Sequence, residues 1–215
     1  CIDVAGEDEG ATHDLDRLDN PRRDSTCLTI FQIEGREEDP HRPQYRVVER
    51  YTWIGTKHTA LFPRLRALSD AWKPTLVVVD ATGIGSGLAT YFESFLPGRV
   101  IPFIFTSASK SKLGLDFIAL IETGRYKEPT WGANDPRRTM LIQQMDACTY
   151  EVLEGPGRLM RWGTPEGARN PNTGEYEHDD LLMSAAIVTA LDDQVWGESR
   201  SRTAVTYDPL SDMTF

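Results

Sequence analysis

Apolar positions recur at two spacings along the chain, and the change from one to the other divides it. Residues 1–5 form a short apolar run interrupted by Asp3, residues 25–33 are rich in Thr, Ile and Phe, and residues 45–54 place Tyr45, Val47, Tyr51 and Trp53 on a period of two. These are strand patterns. The stretches between them, 7–23 and 34–43, are charged and contain Pro, so they are expected as a loop and a turn. Three strands joined in this way make an antiparallel meander. From residue 56 the period lengthens. Leu61, Leu65 and Leu68 predict an amphipathic helix over 56–71, which Pro74 ends. Residues 75–79 are an unbroken run of β-branched residues and Leu, the composition of a strand buried on both faces, with Asp80 at its C-terminal end. Gly83, Gly85 and Gly87 then make a flexible turn into a helix over 88–95. A buried strand over 100–105, a helix over 109–124 opened by Ser and stopped by Gly, and a helix over 136–148 follow.

Residues 150–176 differ, with five Gly and three Pro around strand-like pieces at 151–153 and 159–162 and a turn at Asn170-Pro171-Asn172-Thr173-Gly174. They predict one or two β-hairpins projecting from the core. A strongly apolar helix over 180–191 closes the domain, and residues 196–215 are a polar tail expected to be disordered. The whole reads as one α/β domain over residues 1–195. It has a mixed β-sheet, three antiparallel strands followed by helix–strand units, helices on its faces, and the hairpin insertion before the last helix. The chain opens on a strand at Cys1 with no initiator Met or leader, the start expected of a piece of a longer protein.

Composition narrows the class. With 215 residues, 40% apolar and 26% charged, a real core is available and disorder throughout is excluded. No apolar run nears the roughly 20 residues of a membrane helix, so no membrane partner is expected. The three cysteines, Cys1, Cys27 and Cys148, are far apart and contain no CxxC pair. That spacing excludes a disulfide framework or a zinc cluster and suits a reducing cytosol. The net charge of −10 argues at first against a nucleic-acid partner. It is unevenly spread, however. Residues 99–138 carry seven basic and four acidic side chains, and Arg158, Arg161 and Arg169 add to the hairpin region, while acids crowd the first 20 residues and residues 174–215.

Two features offer chemistry. The turn from Asp80 to Gly87 follows a strand and precedes a helix, as a phosphate-cradling loop does, but a Walker A loop would need Lys after Gly87 and a dinucleotide fingerprint would need Gly or Ala at Leu88. The glycines therefore serve a tight turn. The aspartates are the sharper signal. Asp3 interrupts an apolar strand, where an ionised carboxylate must be solvated, paired or bound to a cation. Asp80 ends the most buried strand, and Asp179 and Asp180 open the most apolar helix. Each alone has a structural explanation as a turn former or helix cap. Brought together, they would repel one another unless neutralised by oxygen-ligated Mg²⁺ or Mn²⁺. Such a cluster can hold two ions about 3.5–4 Å apart, which activate water and stabilise the leaving oxygen of a phosphodiester.

The order Ile2-Asp3-Val4-Ala5-Gly6-Glu7-Asp8-Glu9, then Leu76-Val77-Val78-Val79-Asp80-Ala81-Thr82-Gly83, then Ser109-Lys110-Ser111-Lys112-Leu113-Gly114, then His178-Asp179-Asp180-Leu181 resembles the nuclease domain of the large terminase subunit of tailed bacteriophages, over about residues 1–195. The resemblance implies an RNase H-like fold, shared with Holliday-junction resolvases and integrases. It also implies a metal-dependent endonuclease that cuts concatemeric double-stranded DNA during genome packaging, in the cytoplasm of an infected bacterial host and not secreted. On it, Asp3 bridges both metal ions, Asp80 matches the acidic residue ending the fourth strand, and Asp179 and Asp180 match the acidic pair opening the last helix. Which of that pair is the primary ligand stays open. His178 orients a ligand or the attacking water, or is a solvated loop residue. Lys110, Lys112, Arg158 and Arg161 are candidate DNA contacts. The family implies an ATPase domain N-terminal to the nuclease, with the portal and small terminase subunit as further partners. No Walker A sequence occurs in these 215 residues, so this stretch alone is not expected to hydrolyse ATP. The alternative is a non-catalytic RNase H-like module that docks DNA or the portal.

Overall fold

The computed structural model describes residues 1–5, 25–35, 42–132, 134–155, 157–170, 174–194 and 196. The expected loop over 7–23, the tail beyond Trp196, and parts of the turns at 34–43 and 170–174 lie outside the described residues. The elements run β1 (Ile2–Asp3), β2 (Ser25–Glu34), β3 (Gln44–Ile54), α1 (His58–Trp72), β4 (Val77–Asp80), α2 (Gly85–Phe95), β5 (Val100–Phe103) and α3 (Ser107–Glu122). They continue with β6 (Tyr126–Lys127), α4 (Pro136–Ala147), β7 (Thr149–Val152), β8 (Met160–Gly163) and α5 (Asp180–Ala186), then a 3₁₀ helix over Ile187–Asp193. Six strands form one sheet in the order β5-β4-β1-β2-β3-β6, and β7 and β8 pair separately.

β1, β2 and β3 are the expected antiparallel meander. β4 and β5 add in parallel beyond β1, each after its helix. Alternation along β4 sends Val77 and Val79 into one core with Ile2, Leu28, Leu61, Leu65, Leu88 and Phe92. Val78 faces the opposite core, built with Cys27, Tyr45, Leu113, Phe117 and the α5 residues. Both faces of β4 are covered, as its unbroken apolar run requires. α1 buries Leu61 and Leu65 of its stripe and ends on Lys73 in a left-handed conformation just before Pro74.

Four details depart from the sequence pattern. Gly85 and Gly87 lie inside α2, and only Gly83 of the three takes a positive φ, at 56°. A Cβ on Gly85 would overlap the Asp80 carbonyl oxygen, so this glycine lets the helix start pack directly on the end of β4. β6, two residues pairing with Tyr45 and Arg46, is too short to show a period. The closing helix changes to 3₁₀ winding at Ile187, where β-branched Ile187, Val188 and Thr189 replace small residues. In this last stretch Asp192 is held by Arg125 through bonds of 2.8 and 2.5 Å and by the Tyr45 hydroxyl at 2.6 Å. Finally, the β7–β8 hairpin packs on α3. A Cβ on Gly114 would collide with Trp162 and Met160, and the Met160 amide donates to Ser111 Oγ at 2.9 Å.

No described helix is long and apolar enough to cross a membrane. A cavity of about 770 Å³ opens between β2, β4 and α1, lined by apolar residues that include Ile30, Ile33, Leu68 and Trp72. None of Asp3, Asp80, Asp179 and Asp180 lines it. Their chemistry is displayed elsewhere.

Candidate active site

β1 and β4 lie side by side and parallel with Ile2 opposite Val79, so the next residues along, Asp3 and Asp80, leave the sheet together at its carboxyl ends. Ile2 and Val4 both join the α1–α2 core, which turns Asp3 to the other face, the one covered by α3 and α5. Asp80 shares that face with Val78 by the same alternation. α5 crosses β1 and β2, with Ser184 Oγ and Thr29 Oγ1 hydrogen-bonded at 2.7 Å, and this places Asp179 and Asp180 at the same end. Four aspartates from three distant segments meet there.

Their environments differ. Burial, and then the charges of Asp180, Asp80 and Asp179, hold the Asp3 carboxyl well above the usual carboxylate range, with Lys110 opposing them. Asp80 is buried at 7% exposure and is also raised by burial, in part offset by donors from Thr82 and the Val4 amide. The Thr82 amide donates to Asp80 Oδ1 at 2.8 Å, while the Phe105 amide donates to Thr82 Oγ1 at 2.8 Å, so Thr82 ties the carboxylate to the start of the next loop. Asp180 Oδ2 accepts the Ser25 amide at 2.6 Å. Asp179, although the residue preceding α5, does not cap it with its side chain. Instead its Oδ2 accepts the Thr164 amide at 3.0 Å and stands 3.9 Å from Lys110 Nζ. The two adjacent aspartates thus face different neighbours, Asp180 the sheet and Asp179 the hairpin.

Gly163, at the end of β8, makes this possible. Its φ is 133°, and a Cβ there would overlap Asp179 Oδ2 and sit 3.2 Å from Lys110 Nζ. No periodicity singles it out; the only sequence trace is a glycine ending a strand-like piece. Thr82, Ser25 and Thr164 leave no mark in the sequence pattern either, because each donates to a site aspartate through its backbone amide, a group that almost any residue type supplies.

The remaining candidates separate. Lys110 belongs to the site. Lys112, two residues on, turns away and bonds Asp116 at 2.5 Å. The His178 carbonyl accepts the Thr164 hydroxyl at 3.3 Å, and the residue is half-buried beside Asp179. Arg158 is exposed in the β7–β8 turn, and Arg161 is exposed on the hairpin, 3.0 Å from Glu151. Trp162 packs inward, its indole N–H donating to the Lys110 carbonyl at 2.5 Å.

An oxygen-only set of acidic donors, one of them kept from ionising by burial and then by the charges of the others, has the chemistry that hard divalent cations satisfy. Among the described residues no three His, Cys, Asp or Glu side chains form a ready cage for one ion. The aspartates share an electrostatic field rather than a finished coordination sphere.

Comparison with known proteins bears on the family and the fold. Over 84 residues, 39% of the chain, the sequence is 29% identical to a protein of Haemophilus phage HP1 (strain HP1c1) named as a probable terminase, ATPase subunit; the match spans 14% of that relative's length. The fold is similar to the large terminase nuclease of thermophilic phage G20c, with a TM-score of 0.52 and 17% identity over 80% of this chain and 77% of that one. The same nuclease solved with bound magnesium gives a TM-score of 0.52 and 18% identity, covering 78% of this chain and 74% of that one. With bound cobalt the values are 0.51 and 18%, over 76% and 81%. The model of the terminase RNaseH-like domain matches residues 10–148, a span that takes in Asp80 and Lys110 and ends before the α5 aspartates. That span is well over half of the chain, its fold is the one those nucleases adopt, and the chain belongs to the terminase RNaseH-like domain family.

Proposed function

We propose that this domain is a metal-dependent endonuclease of a DNA-packaging terminase, hydrolysing phosphodiester bonds of double-stranded DNA with two divalent ions, Mg²⁺ or Mn²⁺. The observation that carries the reading is the convergence of Asp3, Asp80, Asp179 and Asp180 from sequence-distant elements, with the ionised form of Asp3 opposed by its burial and then by the other three. Metal-bound structures of a nuclease with the same fold support it. Asp3, Asp80 and Asp180 are the residues that would hold the ions. When bound, the ions lower the pKa of water and stabilise charge on the phosphate oxygens. In the hydrolysis a water oxygen forms a bond to phosphorus as the bond from phosphorus to the leaving sugar oxygen breaks, and the water's proton passes to solvent or a carboxylate. Asp179 tethers the hairpin to α5, and His178 positions this corner. Lys110, Arg158 and Arg161 meet the DNA backbone, contacts that are sequence-independent and salt-sensitive. In the longer protein the domain works with an ATPase domain, the portal and a small subunit, in the cytoplasm of the infected bacterium.

Supercoiled-plasmid cleavage with Mg²⁺, Mn²⁺ or EDTA tests this. Asp3→Ala, Asp80→Ala and Asp180→Ala are each expected to abolish nicking in Mn²⁺ with an unchanged circular dichroism spectrum. Full activity of Asp3→Ala refutes the mechanism. DNA binding by the wild type with no cleavage in either metal would make the domain a docking module.

A further inference from the structure

Lys110 is held among the carboxylates by contacts that are specific to it. It lies in the first turn of α3, whose start is fixed by reciprocal bonds between Thr106 and Ser109. Its carbonyl receives the Trp162 indole N–H, its ammonium stands 5.7 Å from the Trp162 ring centroid, and Gly163 leaves the space its head group occupies. The 3.9 Å to Asp179 Oδ2 is an ion-pair distance but longer than a hydrogen bond, so the charge is not consumed by one partner. That charge also reaches Asp3, where it opposes three aspartates. Lys112 on the same helix is engaged with Asp116 instead.

We propose that Lys110 is a positioning residue of the carboxylate site, a built-in counter-cation that balances Asp179 and Asp3 when divalent ions are absent and competes with those ions for the same field. The inference rests on the metal-dependent reading above. It has a consequence opposite to that of an ordinary site residue: neutralising Lys110 tightens metal binding.

Calorimetric titration of Mn²⁺ into the DNA-free protein tests it. Lys110→Met is expected to lower the Mn²⁺ dissociation constant by about tenfold, the order expected for removing one unit charge from beside a divalent ion in a half-solvated site. Lys110→Arg, which keeps the charge, is expected to stay within about threefold of wild type. The Mn²⁺-induced rise in Tm follows the same order. Unchanged or weaker Mn²⁺ binding in folded Lys110→Met overturns the proposal, since a role confined to packing the hairpin or meeting DNA phosphate leaves metal affinity alone. Lys110→Gln is the second variant. If neither neutral variant folds, Lys110 is a structural residue and the proposal falls. Wild type that binds no Mn²⁺ brings down the metal-dependent reading with it. Wild type that binds, loses binding with Asp3→Ala, and shows no gain with Lys110→Met leaves that reading standing and removes only this inference.

Discussion

Gly163→Ala tests the geometry of the site most directly, because its cost can be assembled from two separate sources. The backbone there has φ 133°, a conformation that costs an L residue about 1–3 kcal/mol. The new methyl also overlaps Asp179 Oδ2, so the carboxylate must leave and its bond from the Thr164 amide is lost. A hydrogen bond to a charged group contributes about 1.5–3 kcal/mol. Together these give about 2.5–6 kcal/mol, and at about 2–4 °C per kcal/mol for a chain of this size the midpoint falls by about 5–24 °C. Gly98→Ala is the control, with φ 71° and nothing within 4 Å of the added carbon. It carries the backbone cost alone, about 1–2 kcal/mol. Thermal unfolding followed by circular dichroism compares the two. The second arm is a double-mutant cycle: in an Asp179→Ala background the collision is absent, so Gly163→Ala costs only its backbone share and the coupling amounts to about 1.5 kcal/mol or more. Equal losses in the two glycine variants, or no coupling to Asp179, refute the account of Gly163 as the floor under Asp179.

Stability carries a pH signature of the site. Because burial and like charges raise Asp3, and burial raises Asp80, the folded protein retains protons that the unfolded chain has already released. Their contribution is full below the ordinary carboxylate range and is lost as pH rises toward the raised folded values. Urea unfolding without metal should show wild type losing stability relative to Asp3→Asn between pH 4 and 7.5, and a pH-independent difference contradicts it. Asp192 has the opposite sign, its carboxyl lowered by Arg125 and Tyr45 against its burial, so that its contribution fades as pH falls through its folded value. Arg125→Ala leaves Asp192 facing Tyr45 without its cation and removes the bond to the Pro43 carbonyl. Asp192 is 34% exposed, so water relieves part of the penalty and a loss of about 3 kcal/mol is expected. A change under 1 kcal/mol by urea unfolding would contradict the anchoring role.

What could be seen in the sequence was what depends on short-range order. The two-residue alternation of 45–54 and the apolar run of 75–79 announced strands that pair as expected, and Asp3 and Asp80 were conspicuous because charge breaks such runs. Local pattern has no access to the distinctions the site turns on. Asp179 and Asp180 are the same residue type on consecutive positions, yet one bonds a hairpin amide and the other the amide of Ser25. Lys110 and Lys112 look alike in sequence and differ by roughly 200° around α3, which sends one to the aspartates and the other to Asp116. Gly163 needs a neighbour 16 residues away to explain it, and the start of α2 at Gly85 depends on the space above Asp80.

The bond from the Ser25 amide to Asp180 joins residues 155 apart, as does the one between Thr29 and Ser184. Contacts of such long sequence separation are the last that an emerging or refolding chain can make, because the loop they close is the largest. β2, the strand beside the one carrying Asp3, is therefore made early and completed last, waiting through synthesis for α5. A ribosome-bound, nicked or C-terminally truncated chain can have most of its sheet and still lack Asp179 and Asp180, two of the four aspartates of the site. Assembly of the polypeptide thus acts as a timing device, and the chemistry of the site is withheld until nearly the whole domain is in place.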